Sequence, residues 1–121
     1  MSLDATARRR YARQLLLAEL SEAGQQRLLA ARFCEGADAD AGAFAVAAEY
    51  LERAGCSRDD AGAEARVPGS GDVMRFAGSP ALREPAALVM GAFAAVEHIK
   101  EVLGVGVARE LPPDLVLSAE P

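Results

Sequence analysis

No stretch of this 121-residue chain carries the unbroken valine and isoleucine run that a strand buried on both faces of a parallel sheet needs. That absence rules out a doubly wound parallel sheet. It predicts a mainly α protein: a helical domain of four to five helices with at most two or three short strands, lacking a full Rossmann-like sheet. Alanine supplies much of the 51% apolar content, aromatics make up 5%, and there is no Trp. Alanine favours helix and buries little area, so the core is expected to be thin. One domain over residues 1–121 is the prior for this length. A thin core borrows surface from a partner, which points to an oligomer.

Helical periodicity and end signals divide the chain. Asp4 or Thr6 is placed to cap a first helix with the stripe Tyr11, Leu15, Leu16 and Leu20, which Leu17 widens beyond one face. Ser21 is a natural N-cap for a second helix, with Glu22 in its first turn and Leu28, Leu29 and Phe33 facing inward. Residues 34–42 are small and acidic and read as a loop. A third helix is expected from about Ala41 to Ala54, with Phe44, Ala47, Ala48 and Leu51 inward and Gly55 as its stop. Residues 56–72 read as a long loop, Val73 to Phe76 as a short strand, and Ser79-Pro80 as the start of a helical turn. The main helix runs from Pro85 to Leu103 and stops at Gly104. Its expected buried stripe is Leu88, Ala92, Ala95, Val96, Ile99 and Leu103, extended by Val89 and Phe93. Leu115 to Leu117 is expected to pair as an edge strand.

Charge and cysteine content exclude several classes. Net charge is −5, which argues against a general binder of nucleic acid or anionic membrane. The basic cluster Arg8, Arg9, Arg10 and Arg13 reads as a solvated helix face. No apolar run approaches the ~20 residues that span a bilayer, and no secretory signal pattern is visible. Two cysteines make no disulfide framework. A cytoplasmic protein is the expectation.

Three segments, in order, carry a family resemblance. Arg10 to Phe33 has an R-Y-x-R-Q start, a leucine run and then E-x-G-Q-x-x-L. Ala43 to Gly55 is an alanine-rich helix ending in alanine-glycine. Glu84 to Gly104 carries A-x-E-x-I-K in Ala95, Glu97, Ile99 and Lys100. Together they resemble the ThiF/MoeB/HesA family, whose members adenylate the C-terminus of a ubiquitin-like or sulfur-carrier protein. The resemblance implies a buried strand and a G-x-G-G-x-G loop before the second segment, where glycine lets backbone N–H groups approach phosphate at a helix N-terminus. This sequence instead has Cys34 to Gly42, with only Gly36 and Gly42 as glycines and with Glu35, Asp38 and Asp40 set against phosphate. No branched apolar run precedes the loop, so no central strand is expected there. Asp59 and Asp60 match the acids that contact a ribose, but no strand is expected to position them. The family's D-x-x-N-R-Q block, catalytic lysine, magnesium-binding aspartate and C-x-x-C zinc pairs have no counterpart; only residues 56–83 separate the second and third segments.

By the resemblance, Arg13 matches an arginine that reaches into a partner subunit's ATP site, so it is the candidate cofactor-binding residue, acting in trans; a plain surface arginine is the alternative. His98 is the sole histidine and reads as a half-exposed structural residue, because a metal site needs three or four converging ligands. Cys34, among carboxylates, and Cys56, at a helix exit, read as structural. Gly91 reads as a site of close helix packing. No catalytic residue, metal ligand or resident cofactor is assigned, and ATP is expected only with a partner. The expected function is that of a non-catalytic ThiF/MoeB-like binding or scaffolding protein. It would serve a full-length activating enzyme or a ubiquitin-like or sulfur-carrier protein, as a homodimer built on the N-terminal helices and the main helix. The alternatives are a half-enzyme completing a composite adenylation site through Arg13 and an unrelated helical interaction module.

Overall fold

The computed structural model describes residues 6, 21–107, 109–112 and 114–117. The first predicted helix, with Tyr11, Leu15, Leu16, Leu17, Leu20 and the candidate Arg13, lies outside the described residues. From Ser21 onward the elements are α1 (Glu22–Ala30), β1 (Arg32–Glu35), α2 (Ala41–Ala54), β2 (Ser57–Arg58), β3 (Ala63–Ala65), α3 (Ser70–Ala77), a 3₁₀ turn (Pro80–Leu82) and α4 (Arg83–Leu103). The described residues therefore form a mainly α fold of four helices with one three-stranded parallel sheet in the order β2-β1-β3.

The helix ends follow their sequence signals. Ser21 caps α1 by accepting the Gly24 N–H at 3.1 Å. Gly55 and Gly104 end α2 and α4 in the left-handed conformation, at φ 117° and 70°, which favours glycine. Two long-range bonds then seat α1. Buried Gln25 donates through Nε2 to the Ala54 carbonyl at 2.9 Å, and Arg27 donates to the Leu103 carbonyl at 3.0 Å. Each satisfies a carbonyl that the end of a helix leaves without an intrahelical donor.

The layout around α2 and α4 departs from the expected stripe. Of the residues predicted to be buried on α4, Ala95 is buried, Ile99 and Leu103 are partly so, and Leu88 and Val96 are 52% and 55% exposed. The buried face is instead Ala86, Ala87, Met90, Gly91, Ala94, Ala95 and His98. Close approach is the reason. A Cβ on Gly91 would lie 2.3 Å from the Ala43 carbonyl oxygen and 2.8 Å from Val46 Cβ, so only small residues fit between the two helices. Leu88 and Val96, which the sequence pattern assigns to the core, are displaced to the outer face. The expected role of Gly91 in close packing holds.

The segments read as loop and strand exchange roles. Arg32–Glu35 is the central strand of the sheet, where no strand was expected. A strand this short needs no branched run: Phe33 alone is fully buried, against Phe44 at 6.1 Å between ring centroids, and β2 and β3 pair with its two edges. Residues 56–72, expected as loop, supply β2 and β3. The chain passes from β2 to β3 across the backbone of β1, and Gly62 makes the crossing. A Cβ there would sit 2.6 Å from the Arg32 carbonyl carbon. Val73 to Phe76, expected as strand, lies in α3, where Val73, Phe76 and Ala77 share one buried face at helical spacing. Leu115 to Leu117 forms no strand; the Leu117 N–H donates to the Phe76 carbonyl at 2.7 Å and ties the tail to the end of α3.

Gly91→Ala should push α2 and α4 apart and destabilise the protein by about 1–3 kcal/mol, as overpacking does. Urea unfolding measures this; an unchanged midpoint would contradict the close helix contact.

Candidate functional site

The turn from β1 into α2 occupies the place where a nucleotide-binding fold holds phosphate, so its chemistry decides what the fold can bind. Four N–H groups at a helix N-terminus lack intrahelical partners and attract an anion. Here the chain supplies that anion itself. Asp40 is the N-cap of α2, only 1% exposed, and its Oδ2 accepts the Ala43 N–H at 2.9 Å. Its Oδ1 accepts from the Ser70 hydroxyl at 2.7 Å and from an Arg83 Nη at 2.6 Å. The Asp40 N–H donates to the Pro68 carbonyl at 2.8 Å. Burial pushes the Asp40 carboxyl pKa up; the Ala43 amide, the Ser70 hydroxyl and the Arg83 guanidinium outweigh it and hold the pKa below the ordinary aspartate value. The anion position is thus filled by a carboxylate whose donors come from three other parts of the chain.

The acid after β2 is engaged as well. β2 does place Asp59 beside β1, a correction to the expectation that no strand would position it. Asp59 Oδ1 accepts the Ala61 N–H at 2.8 Å and Oδ2 pairs with Arg32 at 3.3 Å. Its carboxylate shapes the turn that leads to the Gly62 crossing. At the strand ends, Arg58 stacks 4.8 Å over the Phe44 ring and lies 3.8 Å from Glu35. Asp59 therefore does not project as an unengaged ribose contact.

Two clefts flank α4. One of about 600 Å³ lies beside α3, residues 66–68 and residues 109–111, and His98 is in its wall. His98 is 6% exposed, where a half-exposed residue was expected. Its Nδ1 has no hydrogen-bond partner among the described residues. Burial lowers the His98 pKa; Glu101 opposes this and Arg66 adds to it. The other cleft, about 530 Å³, is an apolar groove over α2 and α4 lined by Tyr50, Arg53, Ala54, Ala92, Ala95, Val96 and Ile99.

The remaining candidates sit apart. Cys34 donates its thiol to the Gly62 carbonyl at 3.2 Å. Cys56 is buried, and burial pushes its pKa up to about 11, so it is a thiol at neutral pH and a poor nucleophile. Among the described residues no group of three or more His, Cys, Asp and Glu is placed to hold a metal ion, and no helix is long and apolar enough to cross a membrane. The Asp40 cluster was not read from the sequence. An aspartate directly before an alanine-rich helix is a capping signal, but Ser70 and Arg83 stand 30 and 43 residues away, beyond any local pattern.

No family model matches the chain, and neither curated proteins nor solved structures provide a match.

Two outcomes follow from the buried carboxylate. Because the folded pKa of Asp40 lies below its unfolded value, its stabilisation is complete above the unfolded aspartate pKa of ~3.9 and disappears as pH falls through the lower folded value. Asp40→Ala should cost about 2 kcal/mol or more at pH 7 and reduce the acid sensitivity of unfolding in that window; urea titrations from pH 7 to 2 measure both, and a variant as stable as the parent would contradict the assignment. Calorimetry of the chain with Mg-ATP should show no binding, and micromolar affinity would overturn the reading of a filled anion position.

Proposed function

We propose that this chain is a non-catalytic binding or scaffolding protein that works as a homodimer. The observation that carries the reading is the outer face of α4. Leu88, Ala92, Val96 and Ile99 fall at intervals of four, four and three residues, one stripe of a helix. Leu88 and Val96 are more than half exposed, Val89 is exposed beside them, and Tyr50 of α2 continues the apolar surface across the groove. Burying each large aliphatic side chain contributes about 1.5–3 kcal/mol, so a contiguous stripe of this kind is a favourable contact surface. A straight helix stripe matches a second copy of itself about a two-fold axis, the commonest arrangement of soluble oligomers.

The filled anion position at Asp40 supports a binding role over nucleotide chemistry. The kinship to ThiF/MoeB-like proteins rests on the three sequence segments alone. In this proposal the dimer serves a full-length activating enzyme of that kind, or a ubiquitin-like or sulfur-carrier protein, in the cytoplasm.

Sedimentation equilibrium at tens of micromolar should give a dimer. Val96→Asp should give a monomer whose circular dichroism keeps the helical signal, because Val96 lies outside the core. A monomeric parent chain, or an undisturbed dimer in the variant, would reject the proposed surface.

A further inference from the structure

The chain after Gly104 folds back along α4, and the proposed function does not use it. Gly104 and Gly106 take left-handed φ angles of 70° and 63° at the turn. The Arg109 N–H then donates to the Glu97 carboxylate of α4 at 3.0 Å, and the Leu117 N–H donates to the Phe76 carbonyl at 2.7 Å. That carbonyl lies in the last turn of α3, where no intrahelical donor reaches it. Between these two points the tail walls one side of the cleft of about 600 Å³ that has Met90 and Phe93 on its α4 side.

Few groups seat this tail. Of its described residues only Leu111 and Leu117 are shielded from water, and both pack on the buried cluster that contains Val73, Phe76, Ala77 and Met90. Every other described residue from Val105 to Val116 is exposed. Few buried apolar contacts mark a segment that opens without the rest of the fold. The seat itself is shaped to the tail. A Cβ on Gly78 would lie 2.8 Å from Val116 Cγ1 and 3.0 Å from the Leu117 carbonyl oxygen, so the bare glycine lets the tail come close. Lifting the tail exposes the side of the cluster that Leu111 and Leu117 cover.

We propose that the groove between α3 and α4 is a docking site for an extended, leucine-bearing segment of a partner protein, and that the chain's own tail fills it as an autoinhibitory plug. The seated tail displays the chemistry the groove accepts. It supplies two leucines, at positions 111 and 117, to the apolar cluster and a backbone N–H to the Phe76 carbonyl. A partner segment of that pattern makes the same contacts. The tether holds the tail at an effective concentration in about the millimolar range, so a free segment competes poorly until the tail's own grip is weakened. The inference stands independently of the dimer.

The probe is a fluorescent synthetic peptide of residues 105–117, titrated into the full chain and into the full-length variant carrying both Leu111→Ser and Leu117→Ser. The variant should bind the peptide saturably below about 1 mM, and the parent at least about tenfold more weakly, because its own tail competes. A peptide with Leu111→Ala and Leu117→Ala should bind the variant about tenfold more weakly than the unaltered peptide. No saturable binding to the folded variant up to about 5 mM, a parent that binds as tightly as the variant, or an alanine peptide that binds as well as the unaltered one overturns the proposal. Amide hydrogen exchange of the parent chain tests it without any substitution. The Leu117 N–H should exchange at least about tenfold faster than the Met90 N–H of α4, through opening of the tail alone. Equal rates would mean that the tail leaves only when the whole fold opens, and would equally overturn it.

Discussion

The carboxylate of Asp40 holds together the parts of this chain that sequence proximity does not. It is withdrawn from water, and a buried charge is tolerated only when it is paired and hydrogen-bonded. Its three donors come from α2 itself, from the start of α3 and from the start of α4. One charge therefore fixes where three helices begin. The Asp40 N–H adds the segment before α3 through the Pro68 carbonyl. The same carboxylate decides the chemistry of the β1–α2 turn, because a helix N-terminus already satisfied by an internal anion has little left to offer a phosphate.

The second constraint is the closeness of α2 and α4. Gly91 against the Ala43 carbonyl leaves no room for a side chain, and the alanines on both helices follow from that contact. Where α4 meets α2, small residues face inward, while Leu88 and Val96 of α4 are turned outward. The apolar stripe of Leu88, Val96 and Ile99 and the cleft at His98 are consequences of that one contact, on opposite sides of the same helix.

Most helix ends and the buried face of α2 were legible in the sequence, and the buried face of α4 was not. Ser21, Gly55 and Gly104 are local signals with local causes, so they placed the start of α1, the whole of α2 and the end of α4, whereas Phe33, read as a residue of the helix after Ser21, lies in β1. The buried face of α4 was misassigned because periodicity weights bulk, and Leu88 and Val96 outweigh alanine in any such pattern. The strand at Arg32–Glu35 was missed because only Phe33 carries an apolar signal, while pairing on both edges comes from residues 57–65. The turn acids were legible as acids and as unfavourable to phosphate. That Asp40 is buried and neutralised by Arg83 depends on the fold bringing together residues 43 positions apart. The turn that carries these acids lies inside a short parallel β1–α2–β2 unit.

The claim that one internal ion pair organises these helices is tested most directly by a double-mutant cycle on Asp40 and Arg83. Stabilities of the parent, Asp40→Ala, Arg83→Ala and the double variant, from urea unfolding at pH 7, give the coupling between the two side chains. The account predicts a coupling of at least about 1 kcal/mol, in the range of residues that share a hydrogen-bonded network. Strictly additive losses would mean that the two groups act independently and would contradict it.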